Sequence, residues 1–195
     1  TNDRVIRREL SFLEGDPFNK SKLLTSLSAL RRLGYFQSVN YTLDRFGPSN
    51  SINIIINVKE TNTGSVSFGV GYSSLNNTNF SFGLNEKNFL GEGKKVKLEA
   101  NISEKKSTYN IGVTEPYFME RHLSLYGDIF NQETENTKGD IKSNSSGFGF
   151  GLGFKNKNLI QTFKYKFSSS KSTTSTVSTA ASNTGEEGRK IITSS

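Results

Sequence analysis

The sequence has 195 residues, a formal charge of +7, 32% hydrophobic residues and a mean hydropathy of -0.53, enough chain for one medium domain or two small ones. Zero Cys and a single His exclude disulfides, thiolate metal sites and thiol nucleophiles, and leave little material for a His-based metal cage or acid–base pair. The basic excess is diffuse, nine basic against six acidic residues over Thr1–Glu60, thirteen against ten over Thr61–Phe167 and three against two over Ser168–Ser195, so no block reads as a nucleic-acid patch. No run reaches the roughly 18 apolar residues of a transmembrane helix, and Thr1–Glu14 lacks the apolar core of a signal peptide; neither point bears on a membrane crossed by strands.

The first sixty residues predict a small α/β unit. Val5, Ile6, Leu10 and Leu13 follow a helical spacing up to Gly15. A second helix is expected from Asp16-Pro17, a capping residue followed by proline at the first helical position, with Leu23, Leu27 and Leu30 as its apolar stripe and Gly34 as its stop. The period then changes to two. Val39, Tyr41 and Leu43 alternate with polar residues, Gly47–Asn50 predicts a turn, and Ile52, Ile54, Ile56 and Val58 alternate again.

From Gly64 onward helical periodicity disappears and about seven alternating segments follow. Their apolar positions are Val66, Phe68, Val70 and Tyr72; Phe80, Phe82 and Leu84; Val96, Leu98, Ala100 and Ile102; Tyr109, Ile111 and Val113; Leu123, Leu125 and Ile129; Phe148, Phe150, Leu152 and Phe154; and Phe163, Tyr165 and Phe167. The interleaved residues are Gly, Ser, Asn, Lys and Glu, and Gly149, Gly151 and Gly153 separate the fourfold run strictly. A continuous aromatic face over strand after strand, opposite a face of small and charged residues, fits lipid outside and water inside an antiparallel transmembrane β-barrel segment. On that reading Phe80, Phe82, Leu98, Phe148, Phe150, Phe163 and Tyr165 face lipid. Connections are expected at Ser73–Asn77, Glu86–Lys94 and Lys155–Asn158, with long polar loops at Asn131–Ser146 and Ser168–Gly188.

No constellation supports catalysis. Gly91-Glu92-Gly93-Lys94 departs from a phosphate loop because Asn88 stands where glycine is needed and Lys95 where Ser or Thr is needed, so a turn is expected. The alternating glycines of 147–153 lack dinucleotide spacing and read as spacers on the inner face. His122 reads as a solvated interfacial residue, and Glu133 and Glu135 as solubilising charge in a loop. In the first sheet strand, Gly64, Ser65, Val66, Ser67, Phe68, Gly69, Val70, Gly71 and Tyr72, glycines either fill a narrow lumen or let another backbone approach closely.

Several strings, in order, resemble one family: DRVIRRELSFLEGDPF at 3–18, LRRLGYFQSVN at 30–40, VKETNTGSVSFGVGYSS at 58–74, NFLGEG at 88–93 and EPYF at 115–118. Together they resemble the BamA family of outer-membrane barrel assembly proteins. The resemblance implies that 1–60 is a periplasmic POTRA domain lacking its first strand, and that 64–195 is the N-terminal part of a larger outer-membrane β-barrel, an internal piece of a longer protein. It further implies a bacterial outer-membrane location, unfolded outer-membrane β-barrel proteins as substrates, and accessory lipoproteins of the assembly complex, periplasmic chaperones and outer-membrane lipid as partners. No nucleic acid, metal, cofactor or catalytic residue is implied. Gly64–Tyr72 would be the edge at which a substrate strand pairs, and Arg7, Arg8, Glu9 and Glu14 the docking region for an accessory lipoprotein, although an exposed charged helix end accounts for the same residues. A two-partner-type secretion transporter and a passive pore are the competing functions.

Overall fold

The computed structural model describes residues 1–45, 51–74, 77–136, 141–156, 159–174 and 191–194. Helix α1 (Asp3–Arg7) is five residues long, shorter than its apolar spacing predicts. Beyond it the chain tightens into i to i+3 bonds, Glu9 N–H to Ile6 and Leu10 N–H to Arg7, and Ser11 N–H is then captured by the Ser26 hydroxyl at 2.8 Å, so Leu10 and Leu13 lie outside the helix.

Helix α2 (Lys20–Leu33) starts later than Asp16-Pro17 predicts. Its N-cap is Asn19, whose Oδ1 accepts from Lys22 N–H at 3.1 Å, while the Asp16 carboxylate is engaged by Leu13 N–H at 3.0 Å and is not available to cap. Its stop is Gly34 at φ 70°, a left-handed conformation that glycine adopts without a Cβ penalty. The stripe Leu23, Leu27 and Leu30 is buried with Val5, Tyr35, Phe36 and Val39, each large side chain contributing about 1.5–3 kcal/mol of transfer free energy.

This core rests on an antiparallel pair, β1 (Phe36–Arg45) and β2 (Ile52–Glu60), in a register that sets Val39 opposite Val58 and Leu43 opposite Ile54. Ile54, Ile56 and Val58 pack on the core from one face, as the two-residue period requires. The expected turn Gly47–Asn50 lies outside the described residues.

A second, eight-stranded sheet follows: β3 (Gly64–Ser73), β4 (Asn77–Phe89), β5 (Lys94–Ser103), β6 (Lys106–Glu115), β7 (Leu123–Asn136), β8 (Ile141–Asn156), β9 (Leu159–Thr174) and β10 (Ile191–Ser194). Neighbours in sequence are neighbours in the sheet, and β3 and β10 stand at its two ends, so no closed barrel forms among the described residues. The seven alternating segments are all strands, and the four residues of β10 add an eighth by pairing with Lys171–Thr174 of β9.

Strands β7 to β9 are longer than their apolar periods. The ladder of β7 and β8 runs without a break from Leu123 opposite Phe154 to Asn136 opposite Ile141. Asn131–Asn136 and Ile141–Ser146 are therefore strand, not loop, and Glu133 and Glu135 lie on β7. Strand pairing needs only backbone groups, so it continues after the side chains turn polar. Of the other expected long loop, Ser168–Thr174 is likewise strand; 175–190 lies outside the described residues, as do 157 and 158 of the tight turn.

The chain divides into two compact units, one of Thr1–Gly64 with Glu86–Lys95, the other of Ser65–Asn85 with Val96–Ser195. The turn between β4 and β5 thus belongs with the helices. Asn2 N–H donates to the Gly91 carbonyl at 2.8 Å, and the buried Asn88 amide donates to Thr1 Oγ1 and accepts from Gly93 N–H, both at 2.8 Å. Gly91 and Gly93 both have positive φ, 72° and 73°, as expected of a turn.

Candidate functional site

The faces of the eight-stranded sheet follow from register. Ile111 stands opposite Ile129, Ile129 opposite Phe148, and Phe148 opposite Phe167; Phe150 pairs with Tyr165 and Leu152 with Phe163. Phe148, Phe150, Phe163 and Tyr165 therefore share one exposed face, with Phe148 stacked on Phe167 at 5.2 Å and Phe150 on Tyr165 at 5.7 Å. Phe80 and Phe82 of β4 are also exposed, alternating with Ser81 and Gly83, whereas Leu98 of β5 is half-buried.

The opposite face is not only small and charged. Tyr126 and Phe130 of β7 lie on it, opposite Gly151 and Gly147, with Lys164 Nζ 5.1 Å from the Tyr126 ring centre and Lys166 Nζ 3.8 Å from that of Phe130. The β8 glycines make room for these groups. A Cβ at Gly147 would lie 2.8 Å from Phe130 Cζ, and one at Gly149 would collide with the Asp128 carboxylate. Alternation along a single strand does not reveal this, because the clash is with the neighbouring strand.

Among the described residues strand β3 has one partner, β4. Lys87 N–H donates to the Thr63 carbonyl at 3.3 Å, which marks 63 and 87 as a hydrogen-bonded antiparallel pair and fixes the phase of the ladder beyond it. Ser65, Ser67, Gly69 and Gly71 then turn their backbone groups toward β4. The hydroxyls agree with this phase: Ser65 Oγ donates to the Asn85 carbonyl at 3.5 Å, Ser67 Oγ to Gly83 at 3.4 Å and Ser81 Oγ to Gly69 at 3.3 Å. Gly64, Val66, Phe68, Val70 and Tyr72 turn theirs the other way, where no strand pairs with β3 among the described residues. Gly64 N–H is satisfied by Asn62 Oδ1 at 3.2 Å, so the unmatched donors begin at Val66. The side chains of Val66, Phe68, Val70 and Tyr72 are 68%, 72%, 61% and 79% exposed.

The glycines of this strand divide into two kinds. Gly69 and Gly83 receive the serines opposite them, a Cβ falling 2.5 Å from Ser81 Oγ and 2.6 Å from Ser67 Oγ respectively. Gly71 faces open space, with nothing within 4 Å of a Cβ.

The charged helix end is largely occupied with itself. Arg7 donates to Asp3 at 2.5 Å and to Glu14 at 2.7 Å; these exposed carboxylates hold its guanidinium well above its ordinary pKa, the Glu14 bond being the largest cause. Arg8 lies against Gly93, and Glu9 Oε1 is buried without a hydrogen-bond partner. Of the four, Arg7 and Glu14 are exposed and bonded to each other. On β1, Arg31 Nη2 donates to the Val39 carbonyl at 2.8 Å. His122 packs on Tyr117 at 5.6 Å between ring centres, and among the described residues no three His, Cys, Asp or Glu side chains converge as metal ligands would.

Comparison with known proteins places both parts of the chain. Residues 88–195 match the Omp85 superfamily domain, and residues 1–61 match POTRA, described as a surface antigen variable number repeat. The outer membrane protein assembly factor BamA of Nitratidesulfovibrio vulgaris is 32% identical over 72% of this chain and 18% of its own length. The protein of the same name from Neisseria meningitidis serogroup B is 30% identical over 71% of this chain and 17% of its own length. The crystal structure of BamA from Haemophilus ducreyi lacking POTRA domains 1-3 superposes with a TM-score of 0.77 and 30% identity, covering 88% of this chain and 34% of that one. The chain therefore spans less than a fifth of the two curated relatives and about a third of the solved chain.

Proposed function

Since the chain belongs to the Omp85 superfamily, we propose that the protein of which it is a part assembles β-barrel proteins into the bacterial outer membrane, and that β3 is the strand on which an incoming strand is paired. The sheet lies in the outer membrane and the POTRA unit in the periplasm.

The carrying observation is the row of backbone groups at Val66, Phe68, Val70 and Tyr72, turned to a sheet edge with which no strand pairs among the described residues. An unpaired edge is a template for another strand, and the exposed apolar side chains on the same residues keep that template at the depth of the lipid face. A strand added there satisfies its backbone before it is exposed to hydrocarbon, which removes the main barrier to insertion. No proton transfer, nucleotide or cofactor is needed for this exchange of hydrogen bonds. Its substrates are unfolded barrel proteins; periplasmic chaperones deliver them, and accessory lipoproteins of the assembly complex dock at the Arg7, Arg8, Glu9 and Glu14 region of the POTRA unit.

The test is disulfide trapping in the full-length protein. Cysteines at Phe68 or Val70 are expected to crosslink to a cysteine series along a terminal strand of a substrate during assembly, and absence of crosslinks at every register would overturn the reading.

A further inference from the structure

We propose that β3 is a sliding strand, able to shift by two residues along β4, and that a polar lock built on Glu86 holds it in the register described. The inference concerns the pairing of β3 with β4 and stands whether or not a substrate strand pairs on the other edge.

The side chains of the two strands specify their register weakly. A two-residue shift keeps every side chain on its own face, so the usual penalty for slippage, apolar groups sent to the wet side, does not arise. On one face Val66, Phe68, Val70 and Tyr72 run beside Phe80, Phe82 and Leu84, and a two-residue retraction still sets Phe68, Val70 and Tyr72 against Leu84, Phe82 and Phe80, leaving only Val66 with a polar neighbour. On the other, Ser67 fits Gly83 and Gly69 fits Ser81. Retracting β3 by two residues, about 7 Å along the strand, sets Gly71 against Ser81 and Gly69 against Gly83. The space over Gly71 is already open, with nothing within 4 Å of a Cβ, so Ser81 can enter it without a collision.

The side chains that favour the described register sit at the root of the strand. The Glu86 carboxylate accepts from Thr63 Oγ1 at 2.5 Å and from Asn88 N–H at 2.7 Å, and it lies over Gly64, 2.8 Å from where a Cβ would be. Asn62 Oδ1 takes the Gly64 N–H. Retraction would break the Thr63 bond and set Glu86 beside Val66 in place of Gly64, so Glu86 favours the described register twice: by the bonds it makes there and by the apolar neighbour it would meet elsewhere. Releasing the lock would carry the exposed edge of β3 along its own axis by one hydrogen-bonded pair.

Two cysteine pairs in the full-length protein, embedded in lipid vesicles, read the register directly, and this chain contributes no native Cys to confuse them. The Gly69→Cys, Ser81→Cys pair reports the described register, its Cβ atoms being 3.9 Å apart, within disulfide range. The Gly71→Cys, Ser81→Cys pair reports the retracted one. With Glu86 intact the first pair is expected to crosslink and the second only weakly. Glu86→Ala is expected to raise the second pair's yield about fivefold at the expense of the first, the shift that follows from losing one ordinary hydrogen bond. Membrane integration is checked on the same samples by heat-modifiable electrophoretic mobility. Loss of the first crosslink without gain of the second means that the strand frays and does not slide, and unchanged yields of both mean that Glu86 does not set the register; either result overturns the proposal.

Discussion

Phe150 and Lys164 offer a controlled test of which face meets lipid, because they sit at one depth on opposite faces. Phe150 pairs with Tyr165, and the next rung pairs Gly151 with Lys164. Replacing Phe150 by Asp removes its stacking on Tyr165 at 5.7 Å and on Phe167 at 6.2 Å, about 0.5–1.5 kcal/mol for each ring pair. It also places a carboxylate where the account puts acyl chains, which costs up to about 2 kcal/mol more on a barrel's lipid face. Lys164→Asp loses only the cation over the Tyr126 ring at 5.1 Å, about 0.5–1 kcal/mol, and its new carboxylate remains in water. The expected difference between the two variants is about 2–3 kcal/mol, roughly 30- to 150-fold in the folding equilibrium. Urea-driven unfolding of the full-length protein from lipid vesicles, followed by tyrosine fluorescence and electrophoretic mobility, measures it. Equal destabilisation by the two substitutions, or the larger loss at Lys164, would refute the assignment of faces.

Three further outcomes are expected. Ser26→Ala removes a buried hydroxyl that accepts from Ser11 N–H at 2.8 Å and donates to the Lys22 carbonyl at 2.9 Å, and should lower stability in urea titration by about 1–3 kcal/mol through the stranded Ser11 N–H. Gly149→Val should cost about 1–3 kcal/mol by overpacking against Asp128, whereas Gly71→Val, with open space above it, should be close to neutral in the same titration. The Lys94 ammonium, 2.5 Å from Glu92, holds that carboxyl below its ordinary value of 4.5, the hydrogen bond to Lys94 being the largest cause. Its contribution is therefore full above that value and is lost as pH falls through the depressed folded value. Glu92→Gln should accordingly reduce the acid sensitivity of the thermal midpoint below about pH 4.5 and leave no pH-dependent difference near neutrality.

Much of the fold is legible in residue periods, because burial on one side of an element repeats with that element. Leu23, Leu27 and Leu30 form the buried stripe of α2, Gly34 ends it, and each alternating run from Val66 to Phe167 is a strand. The errors arise where period carries no information. Asp16-Pro17 reads as the start of α2, but the Asp16 carboxylate accepts from Leu13 N–H in the turn before the helix, and Asn19 caps it instead. The ends of β7 and β8 look like a loop because their side chains are almost all polar on both faces, yet Asn131–Asn136 and Ile141–Ser146 keep their backbone ladder. The candidate site is legible as a strand and not as an edge with a direction. Which backbone groups of Gly64–Tyr72 turn outward depends on the phase set by Lys87 and Thr63, and no side-chain pattern encodes that phase. Likewise, the tight fit of Gly147 follows from the Phe167 carbonyl and the Phe130 ring, and that of Gly149 from Asp128, all on neighbouring strands and distant in sequence.

The most direct test of strand addition at β3 is a crosslinking map between this strand and an assembling substrate in the full-length protein. Cysteines placed singly at Val66, Phe68, Val70 and Tyr72 should each trap one position of the substrate's terminal strand, with the trapped position moving two residues for each two-residue step along β3, as an antiparallel or parallel ladder requires. Crosslinks scattered without register, or none at any position while assembly proceeds, would contradict the account.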